Sequence, residues 1–432
     1  MRLQKISLKI DRKLKILYNN GMEHSSKNYT AAVIGGGASG MAAALFLASA
    51  GIGKILLLER NDRVGRKLSA TGNGQGNVTN ERMGADHYFS DDLEKVGEIL
   101  RAFGKDDLLR FLTESGGYFT ADEEGRVYPA SRQAASVTDI LRFALSARGV
   151  AVKTGEQVKR AEKRKGLFCV ETDRGDYRAR YLLIAAGGKA SPHFGSDGNG
   201  YALAQKFGHT VTPLSPALVQ LKTEREPIKG LKGIRCDCGV TLKRGGVPLY
   251  ACRGDVIFTD YGVSGNAIFK TSSRAAEGDT LSLDFLPECG AGELSALLRH
   301  KARLCGALAS EDLLRCIVNS AAARAVMRSL GIGADIKCGA LAGRADEIAA
   351  RVKDFRLQIA GSMGFDNAQV TKGGIPLAET DGFLMSKREE GLFFAGEILN
   401  VDGECGGYNL QWAFSSGVRC ARRIAELYHE DR

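Results

Sequence analysis

The residues best suited to chemistry begin with a glycine-rich turn near the start of the chain. Gly35, Gly37 and Gly40 have the spacing Gly-x-Gly-x-x-Gly, and they directly follow the apolar stretch Ala31–Ile34. Between a strand and a helix, such glycines allow a tight turn, close approach of the backbone to a pyrophosphate, and close packing of the helix on the strand. The N-terminus of that helix offers free N–H groups and a positive dipole end to phosphates. The spacing therefore predicts a dinucleotide-binding site.

An acidic residue completes this unit. Lys54–Leu58 is predicted to be a second buried strand, and Glu59 ends it, 19 residues after Gly40. A carboxylate at this position accepts hydrogen bonds from the diol of a ribose. The order of strand, glycine turn, helix, strand and terminal acid is typical of a nucleotide-binding βαβ unit.

Three later segments favour FAD over NAD. Phe393–Glu397 is predicted to be a strand ending in a Gly-Glu pair. It resembles the second flavin motif of two-dinucleotide flavoproteins, in which an acid, usually Asp, holds a ribitol hydroxyl. Gly406-Gly407-Tyr408-Asn409 opens the last helix, whose positive end could stabilise negative charge on a reduced flavin. Leu182–Gly188 resembles the Ala-Thr-Gly strand end of the same proteins, with Ala186 in place of Thr.

More specific motifs follow the nucleotide-binding unit. Gly65-Arg66-Lys67-Leu68, Thr71-Gly72-Asn73-Gly74 and Asn77-x-Thr79-Asn80 resemble the signature of the HI0933-like flavoproteins, the BaiN/YhiN family. The further stretches that agree with this family are Gly125–Pro129, Gly198–Ala202, Phe258–Gly265, Val370–Gly374 and Gly396–Ala413. The resemblance implies an α/β fold with a Rossmann-type FAD-binding domain, split by an inserted β-barrel-like domain and a small helical domain.

Changes of pattern along the chain predict where these domains begin and end. After His209, alternating strand patterns and glycine turns replace the βαβ pattern, and from about residue 291 helical spacing takes over. We predict a basic leader outside the fold at 1–28, a first part of the FAD domain at 29–211, a barrel-like insert at 212–287 and 354–372, a helical subdomain at 288–353, and the second part of the FAD domain at 373–432.

The motifs and the family resemblance together predict one extended FAD site. Its predicted residues are Gly35, Gly37, Ala38, Ser39, Gly40, Glu59, Arg60, Gly65, Arg66, Lys67, Thr71, Gly72, Asn73, Asn77, Val158, Ala186, Gly187, Gly396, Glu397, Gly407, Tyr408, Asn409 and Leu410. No metal site is expected, because no close pair of cysteines is followed by a second pair at zinc-ligand spacing.

Candidate acids and bases are few. Tyr128, Asp260 and Tyr261 lie in motif loops and are the predicted catalytic residues, since a tyrosine can protonate an enolate beside a hydride transfer. Many relatives have Arg-Cys where this chain has Gln75-Gly76, and His and Pro where it has Asp260 and Asn266. If these positions line the pocket, the substrate or its protonation differs from theirs.

Net charge and cysteine content indicate which partners and which cellular compartment to expect. Residues 1–21 contain six basic residues and one acidic residue, so half of the net charge of +10 lies in the leader. A nucleic-acid partner is not expected, because basic residues do not interleave with aromatic ones and form no stripe further along. Ten scattered cysteines without a disulfide framework indicate a reducing, cytoplasmic compartment, and no membrane partner is expected. No feature of the sequence specifies an oligomeric state.

Three functions are compatible with an FAD site. The first is a reductase that delivers hydride to a C=C conjugated with a carbonyl of a small molecule, and the family resemblance implies a 3-dehydro-bile-acid or steroid enone. NAD(P)H would be a transient donor, since no second Gly-x-Gly-x-x-Gly has strand–helix context. The second is an oxidase that passes electrons from a small amine or amino ketone to oxygen. The third is an RNA- or partner-binding flavoprotein in which FAD is structural.

Overall fold

The computed structural model describes residues 27–430, so nearly all of the predicted leader lies outside the described residues. The strands of this region are β1 (Lys27–Ile34), β2 (Ile55–Leu58), β3 (Thr79–Asn80), β4 (Tyr88–Ser90), β5 (Phe119–Ala121), β6 (Arg126–Pro129), β7 (Ala151–Lys153), β8 (Val158–Arg164), β9 (Leu167–Thr172), β10 (Asp176–Ile184), β11 (Ser215–Ala217), β12 (Leu221–Thr223), β13 (Arg235–Arg244), β14 (Val247–Phe258), β15 (Gly262–Ser264), β16 (Thr280–Asp284), β17 (Phe355–Ser362), β18 (Val370–Lys372), β19 (Leu392–Phe394) and β20 (Val401–Gly403).

The α-helices connect these strands and cover their sheets. They are α1 (Ala38–Ser49), α2 (Leu93–Ala102), α3 (Lys105–Glu114), α4 (Ala134–Ala147), α5 (Asn199–Lys206), α6 (Arg225–Ile228), α7 (Asn266–Ser272), α8 (Ala291–Leu304), α9 (Ser320–Ser329), α10 (Ala345–Lys353) and α11 (Tyr408–Glu430). Within residues 27–430, none of the helices combines the length and the apolar character needed to cross a membrane.

A seven-stranded sheet forms the nucleotide-binding part of the molecule. Its order is β7-β2-β1-β10-β9-β8, and β19 also pairs with β10. The strands β7, β2, β1, β10 and β19 run parallel, with Ala31 opposite Ile55 on one side and Tyr181 on the other. The apolar stretch of β1 is buried throughout, as expected for a central parallel strand covered on both faces.

The helices α1 and α11 approach each other very closely beside this sheet. A Cβ atom on Gly417 of α11 would lie 2.3 Å from the carbonyl oxygen of Ser39 in α1. Glycine at that position therefore allows the last helix of the chain to pack against the first turn of the dinucleotide-binding helix.

One predicted helix is divided in two. The sequence predicts a helix over 92–115, whereas α2 ends at Ala102 and α3 begins at Lys105. Gly104 between them has an extended backbone, and its N–H donates to the carboxylate of Asp107 at 3.1 Å. This capping bond marks the start of a second helix.

The inserted part of the chain contains a closed antiparallel barrel. Its six strands have the order β12-β15-β14-β13-β16-β17, closed by pairing of β17 with β12. Side chains of the barrel and of α8, α9 and α10 form one shared hydrophobic core, separate from that of the sheet. The predicted class, a Rossmann-type FAD-binding domain with barrel and helical insertions, is confirmed, and the exact domain boundaries stay predictions.

Only part of the segment 354–372, which is predicted to return to the barrel, joins it. β17 joins the barrel, but β18 pairs instead with β11 in a separate two-stranded ribbon. Because β11 leads into the barrel and β18 leads out of it, this ribbon holds the insert onto the FAD domain.

Candidate functional site

A single cavity of about 1210 Å³ runs from the glycine turn to the wall of the barrel. The ends of the sheet strands, the loop at 65–77, β6 and the start of α11 line one side, and β13, β14 and α7 line the other. The predicted residues that line this cavity are Gly35, Gly37, Ala38, Ser39, Glu59, Arg60, Gly65, Arg66, Lys67, Thr71, Gly72, Asn73, Asn77, Tyr128, Val158, Ala186, Gly187, Glu397, Gly407, Asn409 and Leu410.

The three glycines of the turn have different structural roles. Gly35 has a φ of +107°, and a Cβ there would lie 2.3 Å from the carbonyl oxygen of Ala185. A Cβ on Gly40 would lie 1.9 Å from the carbonyl oxygen of Gly35, so both positions are required by the fold. Gly37 has an ordinary φ of −79°, and a Cβ there would have no atom within 4 Å. The space beside Gly37 therefore fits a bound pyrophosphate rather than a neighbouring part of the chain.

Glu59 holds the turn in place while it faces the cavity. One carboxylate oxygen accepts a hydrogen bond from the N–H of Gly36 at 2.9 Å. The other accepts from the backbone N–H and from the side-chain amide of Asn61, at 2.8 and 2.7 Å. A carboxylate oxygen has further lone pairs to offer, so the same group can also accept from a ribose hydroxyl.

Glu397 links the two parts of the FAD domain. Its carboxylate pairs with the Lys67 ammonium at 2.6 Å and accepts from the backbone N–H of Thr371 at 2.8 Å. Lys67 also donates to the carbonyl oxygen of Ala190 at 3.1 Å. Glu397 lines the cavity next to the Lys67 ammonium, so its carboxylate can accept hydrogen bonds from the ribitol hydroxyls of FAD at this point.

The loop that opens the last helix is fixed to β3. Gly407 has a φ of +99°, and a Cβ there would lie 2.3 Å from the carbonyl oxygen of Thr79. The side-chain amide of Asn80 donates to the carbonyl oxygen of Gly406 at 2.9 Å. The Asn409 side chain closes the loop by donating to the carbonyl oxygen of Gly403 at 2.7 Å. Gly407 is therefore needed for this close approach, whatever ligand the helix end faces.

We expect Gly407→Val to destabilise the fold rather than alter the cofactor alone. The substitution places a β-branched residue at positive φ and against the backbone of β3, and each effect costs about 1–3 kcal/mol. The melting temperature should fall by roughly 5–15 °C in a thermal scan. Gly343→Val is the control, because Gly343 is exposed and a Cβ there meets nothing within 4 Å. An unchanged melting temperature for Gly407→Val would contradict the observed packing.

Five predicted residues lie outside the cavity lining. Gly40 packs against the backbone of Gly35, and Gly396 packs against the Ser39 side chain. Tyr408 points away, since its ring stacks on His87 with centroids 4.4 Å apart. Asp260 and Tyr261 lie in the short turn between β14 and β15, which corrects their predicted place in a catalytic site. The Asp260 carboxylate is exposed there and pairs with Lys232 at 3.0 Å.

Two of the positions that depart from the family pattern do face the cavity. Gln75 and Asn266 both line it, whereas Asp260 does not.

Tyr128, the predicted catalytic residue that lines the cavity, is 7% exposed, and the Arg132 guanidinium lies 4.2 Å above its ring. Burial raises the pKa of Tyr128, so the phenol is neutral and can donate a proton at physiological pH.

The barrel contributes cavity residues that the sequence did not predict. They are Arg235, Asp255 and Ile257 on the barrel strands, and the segments beside the barrel add Leu218, Gln220, Phe269 and Gln369. Arg235 donates to the Asp255 carboxylate at 2.7 Å across the β13–β14 pair. Alternation along these strands indicates which residues share a face, but it does not show which end of the barrel meets the FAD domain.

Comparison with known proteins identifies the family. The sequence profile of the HI0933-like protein Rossmann domain matches residues 29–423. The chain belongs to the HI0933-like family. Its match covers both parts of the FAD domain together with the inserted barrel and helices.

Two relatives of this chain align along nearly their whole length. The 3-dehydro-bile acid delta(4,6)-reductase of Clostridium scindens is 36% identical over 403 residues, covering 91% of this chain and 98% of that protein. The ribosomal RNA dihydrouridine synthase of Escherichia coli is 28% identical over 405 residues, covering 92% and 98%. Among solved structures, the 3-ketosteroid-delta4-(5alpha)-dehydrogenase of Rhodococcus jostii aligns with a TM-score of 0.49 at 15% identity, covering 94% of this chain and 98% of that one.

Proposed function

We propose that this HI0933-like protein is an FAD-dependent reductase that adds a hydride and a proton across a C=C conjugated with a carbonyl. The observation that carries the proposal is the single cavity shared by the glycine turn, the buried phenol of Tyr128 and the barrel wall. A cavity of this kind holds a dinucleotide at one end and leaves a walled space for a small molecule at the other.

The residues of the cavity fit FAD. The open space at Gly37, the Glu59 carboxylate and the Glu397 carboxylate lie along one cavity, as a phosphate, a ribose and a ribitol site require. When bound and reduced, FAD supplies the hydride. We propose that NAD(P)H is a transient donor that reaches the flavin through this cavity, and that FAD is held noncovalently.

Side chains of the protein position the substrate and supply the proton. Tyr128 donates a proton to the carbon beside the carbonyl as negative charge develops there. Amide side chains of Gln220, Asn266 and Gln369 offer donors and acceptors to the polar edge of the substrate. Phe269 of α7 and other apolar side chains of the insert keep water away from the reacting carbon.

The names of the two relatives describe the same chemistry on different substrates. A 3-dehydro bile acid with an unsaturated ring is a steroid enone or dienone, and dihydrouridine forms by reduction of the uracil C=C beside its carbonyl. We propose a 3-dehydro-bile-acid or steroid-type enone as the substrate of this chain. The relative with that activity shares 36% of its residues over nearly its full length.

A uridine in RNA is the second candidate, and the amide side chains that the insert places in the cavity favour it. Gln220, Asn266 and Gln369 could pair with the N–H and C=O groups of a uracil ring, and Arg235 lies nearby. The net charge of +10, of which half lies outside residues 1–21, is compatible with a polyanion. This candidate makes RNA a substrate, in contrast to the expectation from the sequence that nucleic acid is not a partner.

An anaerobic reoxidation experiment tests the proposal. The bound flavin is reduced with NADPH or NADH and then mixed with a 3-oxo-4-ene steroid, with a uridine-containing ribosomal RNA fragment, or with oxygen. We expect the enone to reoxidise the flavin, and mass spectrometry to show a product with two added hydrogen atoms. Reoxidation and product with RNA alone would support the second candidate. Reoxidation by oxygen alone would contradict both and favour an oxidase.

Tyr128→Phe tests the proposed acid. Loss of one general acid lowers kcat by about 10²–10⁴-fold, and we expect a drop in this range for substrate reduction. FAD content and the rate of flavin reduction by NAD(P)H should stay near the wild-type values, because the phenol acts only on the substrate. Tyr118→Phe is the control, since Tyr118 is exposed and outside the cavity. A Tyr128→Phe variant with a normal kcat would contradict the assignment of Tyr128 as the general acid.

A further inference from the structure

A buried carboxyl group lies directly behind the wall of the cavity. Asp402 is the central residue of β20 and is 2% exposed, while Val401 before it and Glu404 after it line the cavity. Within residues 27–430, its Oδ2 atom is buried and has no hydrogen-bond partner. A buried carboxylate without a partner is costly, so a group in this position favours its neutral, protonated form.

Two cations lie near Asp402 but make their bonds to other groups. Lys372 of β18 donates to the carbonyl oxygen of Ser273 at 3.1 Å, and Arg274 donates to the Glu404 carboxylate at 3.0 Å. Both stand over the ring of Phe89, which is the cross-strand neighbour of Asp402 on β4. The two positive charges therefore favour the ionised form of the Asp402 carboxyl, although neither cation forms an ion pair with it.

Other titratable groups surround this position. The negative charge of Glu397, which follows β19, acts on Asp402 and disfavours a second negative charge there. Glu404 on the same segment is paired with Arg274 and with His87, the latter at 3.1 Å. Tyr88 of β4 is neutral, since burial raises its pKa well above the ordinary value.

These opposing effects leave Asp402 near its titration point. Burial raises the pKa of Asp402 to about 7, Lys372 and Arg274 act to lower it, and Glu397 adds to the rise. A new negative charge in the adjacent cavity would therefore draw a proton onto this carboxyl at neutral pH.

We propose that Asp402 is a charge-balancing residue that binds a proton when the bound FAD is reduced and releases it when the flavin is reoxidised. During reduction, the donor gives its hydride to the flavin and a solvent proton binds the Asp402 carboxylate. During turnover, the hydride goes to one carbon of the substrate C=C, and Asp402 returns its proton to solvent as the acid in the cavity protonates the other carbon. The proposal rests on FAD binding and not on the identity of the substrate.

The pH dependence of the flavin reduction potential tests this role. For a two-electron couple, each accompanying proton contributes about 30 mV per pH unit, since a tenfold change in equilibrium constant equals 29.6 mV. We expect the wild-type potential to fall by about 60 mV per pH unit just above pH 7, where Asp402 is ionised in the oxidised protein and binds a proton on reduction in addition to the proton that binds the flavin. Asp402→Asn should show about 30 mV per pH unit over the same range.

A matched control separates this effect from the loss of any buried carboxyl group. Asp279 is 3% exposed, but its carboxylate pairs with Arg244 at 2.8 Å in the barrel, and this partner lowers its pKa. Asp279→Asn should keep the wild-type slope. A wild-type slope of about 30 mV per pH unit throughout, or an Asp402→Asn slope that remains near 60, would overturn the proposal.

Thermal unfolding of FAD-free protein provides a second readout. The folded-state pKa of Asp402 is raised above its unfolded value, so its burial destabilises the fold increasingly as pH rises from about 4 to about 7 and by a constant amount above that. Asp402→Asn should therefore raise the melting temperature at pH 8 relative to wild type, and should do so less at pH 5. An equal effect at both pH values would show that Asp402 does not titrate in this range, and would also overturn the proposal.

Discussion

Gly37→Val is expected to weaken FAD binding at least about a hundredfold while leaving the melting temperature of the FAD-free protein unchanged. The backbone at Gly37 has an ordinary φ of −79°, and a Cβ would meet no atom of the chain within 4 Å. The fold therefore accepts a side chain at this position. The second glycine of the fingerprint is needed only where the backbone must approach a pyrophosphate, so the new side chain occupies space that the cofactor needs. A hundredfold loss corresponds to about 2.8 kcal/mol.

The measurement pairs FAD titration with thermal unfolding of the FAD-free protein. Gly53→Val is the matched control, because Gly53 is exposed, has no positive φ and has equally open space around its α-carbon. It should change neither quantity. A Gly37→Val variant that binds FAD with wild-type affinity would show that no phosphate lies against this turn, and a variant that fails to fold would show that the space is not free.

The FAD half of the site could be predicted because its signals are local. The fingerprint places Gly35, Gly37 and Gly40 within six residues, and Glu59 follows at the end of the next strand. Each position is fixed by one βαβ unit, so spacing along the chain translates directly into geometry. The buried parallel strands are also visible as apolar stretches. For these reasons the fold class and most of the cavity residues on this side agree with the sequence-based expectation.

The barrel half could not be predicted because its geometry depends on long-range pairing. Within the motif Phe258–Gly265, Ser264 and Gly265 line the cavity, whereas the exposed Asp260 and the partly buried Tyr261 lie in the turn before β15. Which end of a closed barrel faces the FAD domain is decided by pairing between strands far apart in sequence, such as β12 with β17. Strand alternation indicates inward and outward faces but carries no information about that choice.

Asp402 was missed for a related reason. In the sequence it is one acid among 50 Asp and Glu residues, and it belongs to no nucleotide fingerprint. Its unusual environment arises where β20 pairs with β4, while Lys372 and Arg274 approach from the ribbon and from the end of α7. Only the tertiary structure brings these elements together.

The second large effect is expected for Glu59→Gln, which should raise the dissociation constant of FAD by about 10²–10⁴-fold. The substitution keeps the shape of the side chain but removes its charge. Hydrogen bonds to a charged group contribute about 1.5–3 kcal/mol each, and a ribose diol would lose two of them. The new amide also brings its own N–H donors toward the N–H groups of Gly36 and Asn61, which now donate to Glu59.

This clash between N–H donors distinguishes Glu59→Gln from Gly37→Val, because it also affects the FAD-free protein. Because Glu59 orients the glycine turn even without a ligand, Glu59→Gln should also lower the melting temperature of the FAD-free protein modestly. Glu171→Gln is the control, since Glu171 is an exposed carboxylate on β9 outside the cavity. Isothermal titration with FAD, alongside thermal scans, measures both effects. A folded Glu59→Gln protein that binds FAD as tightly as wild type would show that the ribose does not contact this carboxylate, and the assignment of the turn as the adenosine end of the site would then be wrong.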